Sequence, residues 1–215
     1  MDLAAKHDIL ACMPKKNVVK EFVPDTYYHI YSRGVNKADI FIDEEDKYVF
    51  CSLLKRYLSE KQSRDNSRRH YSSFCGEIDL LAYALMSNHF HLLIFQNDSD
   101  RSITAFMRAL LTSYSLYFNK KYKRQGPVFQ SNYLASRIDS DEYLEHISRY
   151  IHLNPDNWET TTDSSIDYYR GDRKADWIKP AVILDLFDDF ESYIEFLYDY
   201  DSEEKSVFDF DLDNE

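Results

Sequence analysis

The segment Ser87-Asn88-His89-Phe90-His91-Leu92-Leu93-Ile94-Phe95 decides the fold of this chain. Aromatic and branched apolar residues dominate it, which is typical of a β-strand, and side chains along a strand point alternately to opposite faces. His89 and His91 are therefore predicted to lie on one face of a sheet. The opposite face should carry the apolar residues Phe90, Leu92 and Ile94.

Two imidazoles on one strand face are suited to metal binding, because neutral imidazole is the commonest nitrogen ligand in proteins. The pattern His-x-His alone is a weak signal, however. The residues by themselves are equally compatible with two histidines on a hydrated sheet face. Other parts of the chain are needed to choose between these readings.

The chain of 215 residues is long enough for one sizeable domain. No apolar run approaches the roughly 20 residues of a membrane-spanning helix, and the first 13 residues lack the apolar core of a secretory signal. The three cysteines are an odd number without metal-ligand spacing. A disulfide framework is therefore not indicated, and a reducing cytoplasm is the expected location.

The net charge of −12 argues at first against a nucleic-acid partner. The excess is local, because Ala181–Glu215 contains 13 acidic residues and one basic residue. Removing these from the totals of 38 acidic and 26 basic residues leaves 25 of each in residues 1–180. Within that neutral part, Arg101–Arg137 carries seven basic residues and no acidic one, so a local basic surface is predicted.

Hydrophobic periodicity predicts the element order β-α-β-β-α-β-α. The predicted strands are Thr26–Arg33, Glu77–Met86, the histidine strand and Val128–Ile138. The predicted helices are Asp43–Leu58, Ser102–Tyr122, and one that starts at the caps 139–141 and ends at Asn154. This order predicts an α+β, ferredoxin-like antiparallel sheet, followed by an acidic helical extension near Pro180–Tyr200.

The last predicted core helix places His146, Tyr150 and Asn154 four residues apart, close to one face. An amide oxygen suits Mg²⁺ or Mn²⁺, and a phenolate can form a covalent phosphotyrosine. If this helix packs beside the sheet, its phenol could reach a metal ion held by the histidines. With 18 tyrosines in the chain, composition alone favours an ordinary amphipathic position for Tyr150.

Four motifs in order resemble the single-tyrosine HUH transposases, above all REP-associated tyrosine transposases and their insertion-sequence relatives. They are YHIYSRGV at 28–35, NHFHLLI at 88–94, GPVFQSNY at 126–133 and YIHLNP at 150–155. The resemblance covers about residues 24–180. It divides the chain into an N-terminal extension (1–23), a transposase domain (24–160) and a C-terminal extension (161–215) that is acidic from 181.

The resemblance implies cleavage and rejoining of single-stranded DNA near hairpins, with Mg²⁺ or Mn²⁺ and a covalent 5′-phosphotyrosine. His89 and His91 match the catalytic metal-binding pair, and Tyr150 matches the nucleophile. Asn154 matches a further metal ligand, although relatives often carry the longer Gln there. His146 and His152 match no assigned role; the first is expected behind the metal ligands and the second facing solvent.

The expected partner is single-stranded DNA with a hairpin, in the cytoplasm of a prokaryote and near the nucleoid. The predicted DNA contacts are Arg33, Lys120, Lys121, Tyr122, Lys123, Arg124 and Phe129. The cations would neutralise phosphates and the aromatic rings would stack on unpaired bases. Some members of the family share active sites between two subunits and others are self-contained, so a homodimer stays open.

Two alternatives remain at this point. The chain could be a catalytically silent protein that uses the same fold to bind DNA or RNA hairpins. It could also be an unrelated ferredoxin-like domain whose two histidines bind metal for another purpose. Covalent adduct formation separates the first alternative from a transposase, and affinity for single-stranded DNA separates the second.

Overall fold

The computed structural model describes residues 22–60, 72–97 and 99–200. Its centre is a four-stranded sheet in the order β2-β3-β1-β4, with every neighbouring pair antiparallel. The strands are β1 (Thr26–Arg33), β2 (Ile78–Met86), β3 (His89–Gln96) and β4 (Leu134–Ile138). This is the ferredoxin-like arrangement that the sequence predicts.

Strands β2 and β3 form a tight hairpin through Ser87 and Asn88, as predicted. The loop after β1 packs against this turn, because the Gly34 N–H donates to the carbonyl of Asn88. A Cβ at Gly34 would lie 2.0 Å from the carbonyl oxygen of Ala38. Only glycine therefore fits where this loop approaches the histidine hairpin.

One face of the sheet is covered by α1 (Glu44–Leu58) and α2 (Ser102–Lys121). Asp43 begins α1 through a reciprocal capping box with Asp46, which satisfies backbone N–H groups at the helix start. Phe90, Leu92 and Ile94 pack into the core on this side, as the strand alternation predicts.

The other face is covered by α3 (Asp141–Leu153), whose N-cap is Ser140. Leu144, Ile147 and Ile151 of this helix pack with Leu93 and Ile138 of the sheet. The face that carries the histidines is therefore covered by the helix that carries the candidate tyrosine.

The C-terminal part forms three short helices, α4 (Ile166–Arg170), α5 (Ala181–Leu184) and α6 (Phe190–Tyr198). Residues 163–165 lie along the outer edge of β2, where the Ser165 N–H donates to the carbonyl of Tyr83. Ile183, Tyr193 and Leu197 pack into the same core as α3. This extension therefore covers the edge of the sheet formed by β2, and it packs against α3.

The predicted elements are confirmed with small changes at their ends, except that the fourth strand is shorter than predicted. The ladder with β1 includes only Leu134–Ile138. Before it, the Gln130 N–H donates to the carbonyl of Arg33 at the end of β1, and the carbonyl of Val128 accepts from Val35 in the loop that follows. The predicted N-terminal extension falls almost wholly outside the described residues. Residues 61–71 and the end of the acidic C-terminal extension also lie outside them. In the described residues, no helix is both long and apolar enough to cross a membrane.

Candidate active site

The two histidines of β3 lie on the face of the sheet that α3 covers. His91 is fully buried and His89 is half-buried. Their ring centroids are 5.0 Å apart, and the ring planes are nearly perpendicular at 89°. The prediction that both imidazoles share one face is confirmed.

Tyr150 of α3 brings its phenol ring to these histidines. The ring centroid lies 5.2 Å from that of His91, in an edge-to-face arrangement at 86°. It also lies 6.0 Å from the ring of His29, a residue of β1. Tyr150 is only 2% exposed. A tyrosine and a histidine pair are thus brought together within one chain.

The hydrogen bonds of the two histidines decide which ring nitrogens can bind a metal ion. Nδ1 of His89 is 2.6 Å from the amide oxygen of Asn88, which can only accept a hydrogen bond. Nδ1 of His91 is 2.9 Å from Nε2 of His29. Nε2 of His91 is buried and has no hydrogen-bond partner among the described residues. An unpartnered buried nitrogen beside a second imidazole fits a metal ligand.

Burial controls the charge of the imidazoles. Desolvation lowers the pKa of His29 to about 3. Desolvation also lowers the pKa of His91 well below its usual value, with further contributions from the neighbouring His89, His29 and Arg33. Both rings are therefore neutral at pH 7, which is the state that metal ligation requires.

Asn154 is the residue at which α3 ends, and it is buried. Its place one helical turn after Tyr150 is the one that the sequence predicts. No group of three His, Cys, Asp or Glu side chains in residues 22–60, 72–97 and 99–200 is arranged to hold a metal ion. The role of Asn154 as a third metal ligand stays a prediction.

His152 is not solvent-facing, so that expectation is wrong. It is completely buried, with Nδ1 2.6 Å from the hydroxyl of Tyr193 and Nε2 2.7 Å from that of Ser165. Desolvation lowers the pKa of His152 to about 3. The helical spacing could not reveal this role, because both partners belong to the C-terminal extension. His152 thus links α3 to that extension.

His146 lies on the side of α3 that faces the C-terminal helix. Its Nδ1 is 2.8 Å from the guanidinium of Arg149, and its ring is 5.8 Å from that of Phe196. Arg149 also stacks on the ring of Phe196 and donates to its carbonyl. These contacts join His146 to α6, and the expectation that it stands behind the metal ligands gains no support from them.

The predicted DNA contacts separate into two groups. Lys120 and Lys123 are exposed at the end of α2, while Arg33 and Arg124 are partly exposed. Arg33 lies opposite His89 in the register of β1 and β3. These four cations therefore have side chains at the surface, and Arg33 is adjacent to the histidine site.

The other three predicted contacts are engaged in the fold. The ammonium of Lys121 lies within 3.0 Å of carboxylates of Asp43, Glu45 and Asp46. The hydroxyl of Tyr122 donates to Asp46, and Phe129 is buried against Phe90. The signal of a basic, aromatic segment could not distinguish these internal contacts from DNA contacts.

No sequence pattern indicates a role for His29, but the structure places its Nε2 2.9 Å from Nδ1 of His91. The available signal was strand alternation, because Tyr27, His29, Tyr31 and Arg33 share one face of β1. The missing information was the strand register, which pairs Tyr31 with His91 and so brings His29 diagonally next to it. Pairing register between distant strands cannot be read from either strand alone.

The chain is similar to known proteins in its sequence and in its structure. A family model described as "Transposase IS200 like" matches residues 22–154, more than half of the chain. The chain is also similar to a solved structure described as "Structure of the REP associates tyrosine transposase bound to a REP hairpin". That match has 13% identity and a TM-score of 0.49, and covers 74% of this chain and 88% of the other. No curated protein matches the chain.

Proposed function

The chain belongs to the IS200-like transposase family, and we propose that it cuts and rejoins single-stranded DNA at hairpin-associated sites through a covalent 5′-phosphotyrosine. Residues 24–160 would form the catalytic domain, acting on DNA in the cytoplasm. The observation that carries the proposal is the contact between the ring of Tyr150 and that of His91, at 5.2 Å within one chain.

The proposed reaction is an in-line transesterification. The phenol of Tyr150 gives its proton to solvent, and its oxygen attacks a phosphorus atom. A bond from the phenol oxygen to phosphorus forms, the bond from phosphorus to the 3′ oxygen breaks, and the 3′ oxygen takes up a proton from solvent. The products are a 5′-phosphotyrosine and a free 3′-OH, and attack by a 3′-OH on that linkage reverses the step. No oxidant or other co-reactant is required.

His89, His91 and Asn154 would hold the divalent ion, Mg²⁺ or Mn²⁺. When bound, that ion polarises the scissile phosphate. Within the chain, α3 positions the phenol, and the apolar packing of Leu144, Ile147 and Ile151 fixes the helix on the sheet. Arg33, opposite His89 at the end of β1, would attract the DNA backbone toward the site.

The site is proposed to be self-contained, because the tyrosine and the histidines come from the same chain. Mixing Tyr150→Phe protein with His91→Ala protein tests this directly. A self-contained site predicts no adduct from the mixture. Restored adduct would show that two subunits share the residues of one active site.

A second candidate is hairpin binding without cleavage. Tyr150 and His91 are both buried, and the described part of the chain has no group of three His, Cys, Asp or Glu side chains that could hold a metal ion. Both observations are compatible with a protein that keeps the fold but not the chemistry. Cleavage requires α3 to shift enough for a phosphate to reach the phenol.

The decisive experiment is adduct formation. Protein is incubated with a radiolabelled hairpin taken from the flanks of its own gene, with Mn²⁺, and analysed on a denaturing gel. A transposase predicts an adduct that survives denaturation and disappears in Tyr150→Phe and with EDTA. Binding of the hairpin without any adduct would support the silent alternative, and no affinity for single-stranded DNA would contradict both.

A further inference from the structure

His29 and His91 form a hydrogen bond between two buried imidazoles on neighbouring strands. His29 Nε2 and His91 Nδ1 are 2.9 Å apart, and the rings lie nearly parallel at 19°. His91 is fully buried and His29 is 6% exposed. Water therefore has little access to this hydrogen bond. The register of β1 and β3 fixes the relative position of the two residues.

Only one proton can occupy the line between these two nitrogens. If it belongs to Nδ1 of His91, then Nε2 of His91 carries a lone pair. If it belongs to Nε2 of His29, then Nε2 of His91 must carry a proton of its own, buried and without an acceptor among the described residues. An unpaired buried N–H is unfavourable, so the first arrangement is preferred.

We propose that His29 is a positioning residue that accepts the Nδ1 proton of His91 and thereby aims the Nε2 lone pair of His91 at the divalent ion. The inference rests on the metal site of the proposed function. Asn88 does the same for His89, since its amide oxygen lies 2.6 Å from Nδ1 of that ring. Partners that fix the tautomer of metal-bound histidines typically change metal affinity by about 10- to 100-fold.

In this proposal His29 is not a metal ligand, because its Nε2 bonds to His91. Its contribution is to select one of two tautomers of a neighbour. This role requires a hydrogen-bond acceptor at position 29. A residue that only packs in the core would need the right size and no acceptor.

The first test reads the tautomer of His91 in metal-free protein. Nitrogen-15 NMR of the histidine rings distinguishes a protonated Nδ1 from a protonated Nε2. The proposal predicts a proton on Nδ1 of His91 in the wild type and a shift toward Nε2 in His29→Phe. A wild-type His91 protonated at Nε2 overturns the proposal, even if variants fail to fold.

The second test measures Mn²⁺ affinity by electron paramagnetic resonance, without DNA. His29→Phe keeps a ring but removes the acceptor, and should weaken binding by about 10- to 100-fold. His29→Gln supplies a carbonyl oxygen and should restore most of the affinity. Tyr27→Leu, on the same face of β1 but in contact with Phe95, is the matched control and should bind as the wild type does.

The outcomes separate the two proposals. Equal Mn²⁺ affinity in wild type and His29→Phe would overturn the role of His29 and leave the proposed function standing. Equal losses in His29→Phe and His29→Gln would also overturn it, because only packing would then matter. A wild type that shows the Nδ1 tautomer but binds no Mn²⁺ would contradict the metal-dependent function itself.

Discussion

The two faces of the central sheet are both covered by helices but are chemically different. Phe90 and His91 are neighbours on β3 and both are fully buried. Phe90 meets the rings of Phe50 and Phe129 on the side of α1 and α2. His91 meets His29, His89 and Tyr150 on the side of α3.

This difference separates a face whose burial stabilises the fold from a face that carries the residues of the proposed site. Apolar side chains gain free energy by leaving water, whereas polar groups lose it unless they find partners. On the α3 face, Nε2 of His91 is buried without a partner among the described residues. Under the proposed function, a bound metal ion would supply the partner that this nitrogen lacks.

The largest expected effect contrasts one aromatic residue from each face. Phe50→Ala should reduce the free energy of unfolding by about 3–5 kcal/mol, because it leaves a cavity among the rings of Phe41, Phe90 and Tyr114. Tyr150→Phe removes only a hydroxyl and should reduce it by no more than about 1.5 kcal/mol. Urea unfolding measures both, and equal losses would contradict the division between the faces.

The next effect concerns the charged cluster at the edge of the apolar face. Asp46 is fully buried and accepts hydrogen bonds from Lys121, Tyr117 and Tyr122. Asp46→Asn should reduce the free energy of unfolding by about 1.5–3 kcal/mol at pH 7, the usual contribution of hydrogen bonds to a charged group. Urea unfolding at pH 7 provides the comparison.

The pH dependence of this effect has a definite sign. Desolvation acts to raise the pKa of Asp46, but the hydrogen bonds from Lys121 and Tyr122 outweigh it, so the pKa is lowered. The stabilisation is therefore complete above the unfolded-state pKa of about 3.9 and is lost as pH falls below it. The difference in the free energy of unfolding between wild type and Asp46→Asn should become smaller at acidic pH. The difference between wild type and Phe50→Ala should not change with pH.

The smallest effect compares two lysines at the end of α2, on the side of the sheet that carries the apolar core. Lys123 is exposed at the end of α2, whereas the ammonium of Lys121 is held by three carboxylates. Lys123→Gln should weaken binding of a single-stranded hairpin. The slope of the logarithm of the binding constant against the logarithm of the salt concentration should become shallower by about 0.7. Lys121→Gln should leave that slope unchanged and lower stability instead. The reverse pattern would place Lys121 in the DNA interface.

Local patterns in the sequence were sufficient to predict most of the fold. Strand alternation placed Phe90 and His91 on opposite faces, and helical periodicity defined α1 to α3. The exception was the start of the fourth strand, where Val128 bonds to the loop after β1 and not to the sheet. That outcome depends on contacts between segments distant in sequence, which no local pattern contains.

The candidate site could be predicted only in part. His89, His91 and Tyr150 follow from motifs, and their proximity is confirmed. The partners that orient or support them, His29 and the Tyr193–His152–Ser165 link, depend on strand register and on the packing of the C-terminal extension. Lys121 and Phe129 illustrate the same limit, because a basic or aromatic residue can equally well be used inside the fold.

The most direct test of the central claim is to locate the attachment point of DNA on the protein. Adduct formed with a hairpin substrate and Mn²⁺ is digested, and the nucleotide-bearing peptide is identified by mass spectrometry. The account predicts a 5′-phosphate ester on Tyr150, formed by the wild type and absent from His91→Ala. Attachment to another tyrosine, or undiminished adduct without the histidine, would contradict it.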